Sequence, residues 1–279
     1  GHRPLCLTVT SPSGSLAASG RSFFFCVQVN IKSDIDRVTA SFSGKLQGQI
    51  PYAASRAMNA TIDIARDEIV KDMRSVFDRP TPYALNGLRT VKTNKRELAV
   101  SVAFKDEGGK GGTPADKFIA PEVYGGNRRF KRFEKALQRI GAMPAGTYAI
   151  PGVGAKIDSY GNMARSQITQ ILSALQAFGE QGYSANATRK TLDRRKRGTK
   201  KKRGEVYFAI TRNKPGLKPG IYVRTKFAFG WAAKPVLVFA RSVRYKPRLP
   251  MLEVVQKTFE KHFEDEFGKA FARAVETAR

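Results

Sequence analysis

Sulfur, imidazole and negative charge are all scarce in this chain of 279 residues. Its two cysteines, Cys6 and Cys26, lie in an N-terminal segment unlike the rest, which leaves no basis for a disulfide framework or a zinc site. The two histidines are His2 and His262, and His262 falls one residue from the apolar stripe of a C-terminal helix, the place of a helix-flank residue. These shortages remove most acid–base and metal chemistry. No stretch approaches a membrane span, and neither Leu5–Val9 nor Phe23–Val29 makes a continuous signal-peptide core. The glycine motifs are incomplete as well. Gly108-Gly109 and Gly111-Gly112 around Lys110 lack the spacing of a phosphate-cradling loop, and Gly152-Val153-Gly154 lacks the third glycine of a dinucleotide fingerprint. No cofactor, metal or catalytic residue is expected. Asp63, Asp67 and Asp72 share a helix with alternating bases, where solvated ion pairs rather than a nuclease cluster are the expected use.

What the chain has in excess is positive charge. Lys and Arg number 50 against 23 Asp and Glu, a formal net charge of +27. Such a surplus works against a compact fold and points to a polyanionic partner, nucleic acid or an acidic neighbour. Two segments concentrate it. A helix over Asn127–Gly141 turns Phe130, Phe133, Leu137 and Ile140 inward and leaves Arg128, Arg129, Lys131, Arg132, Lys135 and Arg139 outside, with Glu134 the sole acid. The stretch 182–204 carries Arg189, Lys190, Arg194, Arg195, Lys196, Arg197, Lys200, Lys201, Lys202 and Arg203, relieved only by Asp193. Charges this dense repel and bury nothing, so a disordered or extended loop is expected, ordered against a polyanion. A phosphate-binding arm, a nuclear-type targeting signal and a solvated insertion all fit that pattern. The candidate nucleic-acid-binding residues are therefore Arg128, Arg129, Lys131 and Arg132 in the first segment and all ten cations from Arg189 to Arg203 in the second.

Periodicity outlines the fold. Residues 1–30 read as an extension without structure, and a natural start near Val29 or Asn30 would account for their composition. Ile35, Val38, Phe42 and Leu46 share a helical face over Ser33–Gln47; Pro51 then opens a second helix, Pro51–Phe77, with Ala54, Met58, Ile62, Ala65, Ile69, Met73 and Val76 as its stripe. Asp78-Arg79-Pro80-Thr81-Pro82 breaks it. Leu88–Thr93 and Glu97–Lys105 flank Asn94-Lys95 as a half-buried hairpin, followed by a glycine-rich loop, Asp106–Pro114. A helix over Asn162–Phe178 comes next, then strands at Glu205–Thr211, Ile221–Thr225 and Val236–Phe239, the last two joined by a Gly230–Pro235 connection. Beyond Pro250, Leu252, Val255, Phe259, Phe263, Phe267, Phe271 and Ala274 form one apolar stripe. The expected fold is α+β: one domain over 31–279, a mainly antiparallel sheet packed by long N-terminal and C-terminal amphipathic helices, with a flexible basic loop at 182–204.

Five stretches in their order carry a resemblance: PYAASRAMNATIDIARDEI, RPTPYALNGL, GGNRRFKRFEKAL, DSYGNMARSQITQIL and KPVLVFARSVRYKPR. Together they resemble the minor tail protein Z family of tailed phages and prophages, the tail-completion or head–tail joining proteins. The resemblance covers most of 31–279; Arg189–Arg203 and the segment before Val29 lie outside it. It implies a non-enzymatic structural component at the head-proximal end of the tail, oligomeric in the particle. Its expected partners are other tail or connector proteins and the DNA end, with no membrane. Its expected location is the virion tail, and the host cytoplasm during assembly. The alternative is a stand-alone basic nucleic-acid-binding protein.

Overall fold

A computed structural model describes residues 8–10, 26–30, 39, 45–107, 113–179 and 186–277. In chain order the elements are β1 (Thr8–Thr10), β2 (Cys26–Asn30), α1 (Lys45–Val76), α2 (Pro82–Leu85), β3 (Leu88–Val91), β4 (Ala99–Phe104), α3 (Ala115–Tyr124) and β5 (Gly126–Asn127). Then come α4 (Arg132–Arg139), β6 (Tyr148–Pro151), α5 (Arg165–Ala174), α6 (Arg189–Arg197), β7 (Glu205–Ile210), β8 (Gly220–Phe227), β9 (Gly230–Ala240), β10 (Arg244–Tyr245) and α7 (Met251–Thr277). The class is α+β with antiparallel sheets. Where the sequence suggests one domain over 31–279, the chain divides into two compact units. Unit 1 comprises the residues up to Gly125 and those from Lys246, and unit 2 is Gly126–Tyr245. Nor is there one sheet: β1-β2-β4-β3 belongs to unit 1 and β6-β9-β8-β7 to unit 2. Alternating apolar residues mark strands in both halves alike and do not say which strands pair.

Unit 1 is built on the two long helices. The 32 residues of α1 span about 48 Å, and Ile50, Ala54, Met58, Ile62, Ala65, Ile69 and Met73 along one side are essentially inaccessible. Alternate small residues, Ala53, Ala54, Ala57 and Ala65, let a neighbour approach closely, and α7 packs along this helix. From α7 the core takes Met251, Val255, Phe259, Phe263 and Ala274. Phe259, Phe263, Phe267 and Phe271 stack successively at centroid separations of 6.3, 6.1 and 5.9 Å, as residues four apart on a helix should. Leu252, assigned to that stripe from spacing, is exposed, and Met251 takes the inward place. The second helix does not begin at Pro51. Helix α1 is already running from Lys45 and carries Pro51 inside it, in its second turn, where the missing N–H leaves one i→i−4 hydrogen bond unmade. Most of the helix expected over Ser33–Gln47 lies outside the described residues.

The largest correction concerns the N-terminal extension. Residues 26–30 form an inner strand, with β1 on one side and β4 on the other. Val27 pairs with Val102 and Val29 with Val100, and all four side chains are buried in the unit 1 core. A start near Val29 or Asn30 would remove this strand. Hairpin β3–β4 keeps the expected place, with Leu88 opposite Phe104. Its turn is held by the Asn94 side-chain oxygen, which accepts from the amides of Arg96 (2.9 Å) and Glu97 (3.2 Å). Asn59 of α1 clamps the same hairpin, donating to the Thr93 carbonyl at 2.9 Å and accepting from its amide at 2.8 Å.

Unit 2 packs α4 and α5 on its sheet over Leu137, Met143, Ile171, Tyr207, Ile221, Val223, Val236 and Leu237. Strands β5 and β10 pair where the chain enters and leaves this unit, Asn127 opposite Arg244. The helix expected over Asn127–Gly141 is thereby shortened to Arg132–Arg139, and Ile140, expected inside, is exposed. Strand β9 runs unbroken through the expected Gly230–Pro235 connection. Pro235, which has no N–H to offer, faces Tyr222 where the β8 register shifts, and the loop amides of Gly152 and Gly154 donate to the carbonyls of Val236 and Pro235 at 2.8 Å each.

Candidate nucleic-acid interface

The division into units separates the charge. Unit 2 holds 26 Lys and Arg against 5 Asp and Glu, a net +21, while unit 1 holds 24 against 18, a net +6. Most of the formal positive charge is therefore carried by unit 2.

Helix α6 contradicts the expected disorder of the basic stretch from Arg189 onward; residues 182–185 lie outside the described residues. Thr188 caps it, its hydroxyl oxygen accepting from the Thr191 amide at 3.3 Å. Gly198, at φ 76°, ends it with its amide on the Arg194 carbonyl at 3.0 Å. A tight turn follows in which Thr199 and Lys202 exchange backbone hydrogen bonds of 2.7 and 3.2 Å. The chain then folds back so closely that a Cβ at Gly204 would collide with the Lys196 carbonyl. What composition conceals is a narrow inward face: Thr191, Leu192 and Arg195 are half-buried, and α6 packs on β7. Arg195 is thus drawn toward the sheet, its Nη1 inaccessible, and is corrected from phosphate contact to packing residue. Arg189, Lys190, Arg194, Lys196, Arg197, Lys200, Lys201, Lys202 and Arg203 all face solvent.

Arg128 also leaves the candidate set. Its guanidinium is bound to Glu134, Nη1 donating to Oε2 at 2.8 Å and Nη2 to Oε1 at 2.5 Å, and it stands over the Tyr148 ring at 5.0 Å. Glu134 is completely buried and also accepts from the amides of Lys131 (2.6 Å) and Ala149 (2.8 Å). Burial raises the proton affinity of this carboxyl, but the Arg128 hydrogen bonds and the two amides outweigh it and hold the pKa below the ordinary carboxylate value. The Arg128 guanidinium is correspondingly raised, first by its hydrogen bonds to Glu134. The pair fastens the chain before α4 to β6. Arg129, Lys131 and Arg132 remain exposed there. Since the chain before α4 is anchored to Ala149 of β6, opposite Phe239, and the turn after α6 reaches Gly204, whose carbonyl accepts from the Lys226 amide, the two basic segments attach to opposite edge strands and toward opposite ends of the four-stranded sheet. They make two cationic borders rather than one patch.

At the α6 end of the sheet lies a feature that sequence reasoning passed over. Pairing on the β7 side ends at the Lys226 amide, which donates to the Gly204 carbonyl at 2.8 Å, and on the β6 side at the Pro235 carbonyl, which accepts from Gly154, so residues 227–234 of the two central strands continue past both neighbours as a ribbon. On one face Arg224 stands over the Trp231 ring at 4.9 Å; on the other Arg203, entering from the basic turn, stands over Phe227 at 4.6 Å. Phe229 at the tip is fully exposed. The signal was present as a period-two run, Phe227, Phe229 and Trp231, beside Arg224 and Lys226, but it reads first as ordinary strand alternation.

No family model matches the chain, and neither curated proteins nor solved structures give a match. The geometry alone therefore describes the site: exposed cations on two sheet edges, and guanidinium–ring stacks on a ribbon at the α6 end of the sheet. Among the described residues no group of His, Cys, Asp and Glu is arranged to hold a metal ion.

Proposed function

We propose that this chain is a structural, non-enzymatic component of a phage or prophage tail that completes the head-proximal end for head–tail joining and touches DNA through unit 2. Two things support the reading: the resemblance of the five stretches quoted above, and the partition of charge. The resemblance carries the tail role and the charge carries the DNA contact, because +21 of the +27 formal charge falls on one unit with exposed cations on both sheet edges. Unit 1, nearly balanced and closed over its own apolar helices, is the body that meets other tail or connector subunits in this account. Arg129, Lys131 and Arg132 border one side of the DNA path, and Arg189–Arg203, without Arg195, the other.

Two experiments test it. Removing the gene from its phage should leave filled heads and tails unjoined in electron micrographs; joined, infectious particles without it would overturn the tail role. Purified protein should bind a blunt DNA duplex at low salt and, at six or so phosphate contacts, lose roughly three orders of magnitude in affinity between about 50 and 200 mM salt. Binding without any assembly defect would favour a stand-alone nucleic-acid-binding protein instead.

A further inference from the structure

The ribbon at the end of β8 and β9 buries little of itself: Lys226, Phe227, Ala228, Phe229 and Gly230 are all exposed. Phe229 occupies a two-residue turn, Ala228-Phe229, where small polar residues and glycine are the usual choice, and it is fully exposed. Gly230 beside it, at φ 140°, relieves the backbone so that the turn closes with the aromatic at its apex. The register sets Lys226 opposite Trp231 and Phe227 opposite Gly230, so Arg224, Lys226 and Trp231 share one face while Phe227 with Arg203 occupies the other. Rings and cations therefore alternate around the whole projection.

We infer that this ribbon is a stacking platform for single-stranded nucleic acid, with unpaired bases lying on Phe227, Phe229 and Trp231 and the backbone held by Arg203, Arg224 and Lys226. In a duplex the π-faces of bases are covered by their neighbours and only phosphates and groove edges are offered, which needs cations but not exposed rings. An unpaired strand offers both phosphates and base faces, and aromatic rings set among cations answer both. A membrane surface fits less well, because inserting the aromatic tip would draw the guanidiniums of Arg203 and Arg224 out of water with it. The inference rests on the proposed DNA contact of unit 2 and narrows it to the unpaired end of a strand.

The test measures binding of the full-length chain to a fluorescent thymidine oligonucleotide and to a blunt duplex of equal length at one salt concentration. Trp231, the sole tryptophan, supplies a second signal through quenching of its emission by a stacked base. Phe229→Ala, which has no packing to lose, should weaken single-strand binding by about fivefold or more and leave duplex binding within twofold. Phe229→Tyr should restore it, and Lys200→Ala with Lys201→Ala and Lys202→Ala should weaken both ligands. A uridine RNA of the same length distinguishes a DNA-specific site from one that takes either backbone, and binding of either single strand through Phe229 supports the platform. Unchanged single-strand affinity in Phe229→Ala, with duplex binding intact, overturns the ribbon inference alone. Failure of the wild-type chain to bind any nucleic acid at low salt overturns the parent reading as well. Trp231 emission that responds to phosphatidylglycerol vesicles and not to oligonucleotides assigns the tip to a membrane and also overturns the inference.

Discussion

The two units solve the same problem, keeping a compact fold under a large positive charge, in different ways. Unit 1 avoids the problem: its acids nearly match its bases, and stability comes from two helices burying aliphatic and phenyl side chains against each other and a sheet. Unit 2 accepts the charge and manages it locally. One buried carboxylate, Glu134, anchors the chain before α4; one capped helix, α6, turns a half-buried face inward; two glycines let its C-terminal end fold back toward β7. The difference teaches that a charge run unable to bury a hydrophobic stripe can still be ordered by caps, turns and one inward row.

Breaking unit 1 should have the largest effect. Removing residues 1–29 strips out β2 and exposes the partners of Val27 and Val29, at a cost of about 4 kcal/mol or more. Phe259→Ala, at a ring with no solvent exposure, should cost about 3–5 kcal/mol, whereas Leu252→Ala, exposed in the first turn of the same helix, should change stability by less than about 0.5 kcal/mol. Chemical denaturation followed by circular dichroism reads all three. A phenylalanine variant no worse than the Leu252 variant would remove the stripe from the core.

Breaking the anchor of unit 2 comes next. Glu134→Gln leaves Arg128 charged and mostly buried without its partner and should cost about 3 kcal/mol, seen as earlier unfolding in the fluorescence of Trp231. The pH dependence has a definite sign. Because the folded pKa of Glu134 lies below its unfolded value of about 4.3, its stabilisation is present above that pH and disappears as pH falls through the folded pKa. Unit 2 of the wild type should therefore lose stability in acid over that window, and the Glu134→Gln chain should lack this contribution. Gly204→Ala, which drives a methyl group into the Lys196 carbonyl, should cost about 1–3 kcal/mol and fray α6, measurable as faster amide exchange there. The smallest effect on stability belongs to Lys200→Ala, Lys201→Ala and Lys202→Ala together, within about 0.5 kcal/mol of wild type, although their effect on DNA binding should be large.

The same contrast explains what could be read from the sequence. Helices α1 and α7 and hairpin β3–β4 were legible because each carries its own period, 3.6 or 2, between clear breakers such as Pro80 and Pro82. Strand β2 was not, because five residues between Phe23-Phe24-Phe25 and Ile31 have too short a period to stand out, and its burial depends on β4, some 70 residues away. Helix α6 was hidden by composition: its inward row of Thr191, Leu192 and Arg195 contains one aliphatic residue. Arg128 looked like a surface cation because nothing local says that Glu134 will be buried beneath it by the Ala149 amide, 15 residues on. The ribbon aromatics were visible as letters. Their projection depends on where β6 and β7 stop, which is a property of the whole sheet.

The central claim is that polyanion binding resides in unit 2, and a salt titration of duplex binding by two full-length triple variants tests it most directly. One replaces Lys200, Lys201 and Lys202 with alanine in unit 2; the other replaces the exposed Arg74, Lys257 and Lys261 in unit 1. The account predicts that the first lowers the slope of log affinity against log salt by about 0.9 for each phosphate that is no longer neutralised, and that the second leaves it unchanged. An equal drop in slope for both variants, or a drop only for the second, would contradict it.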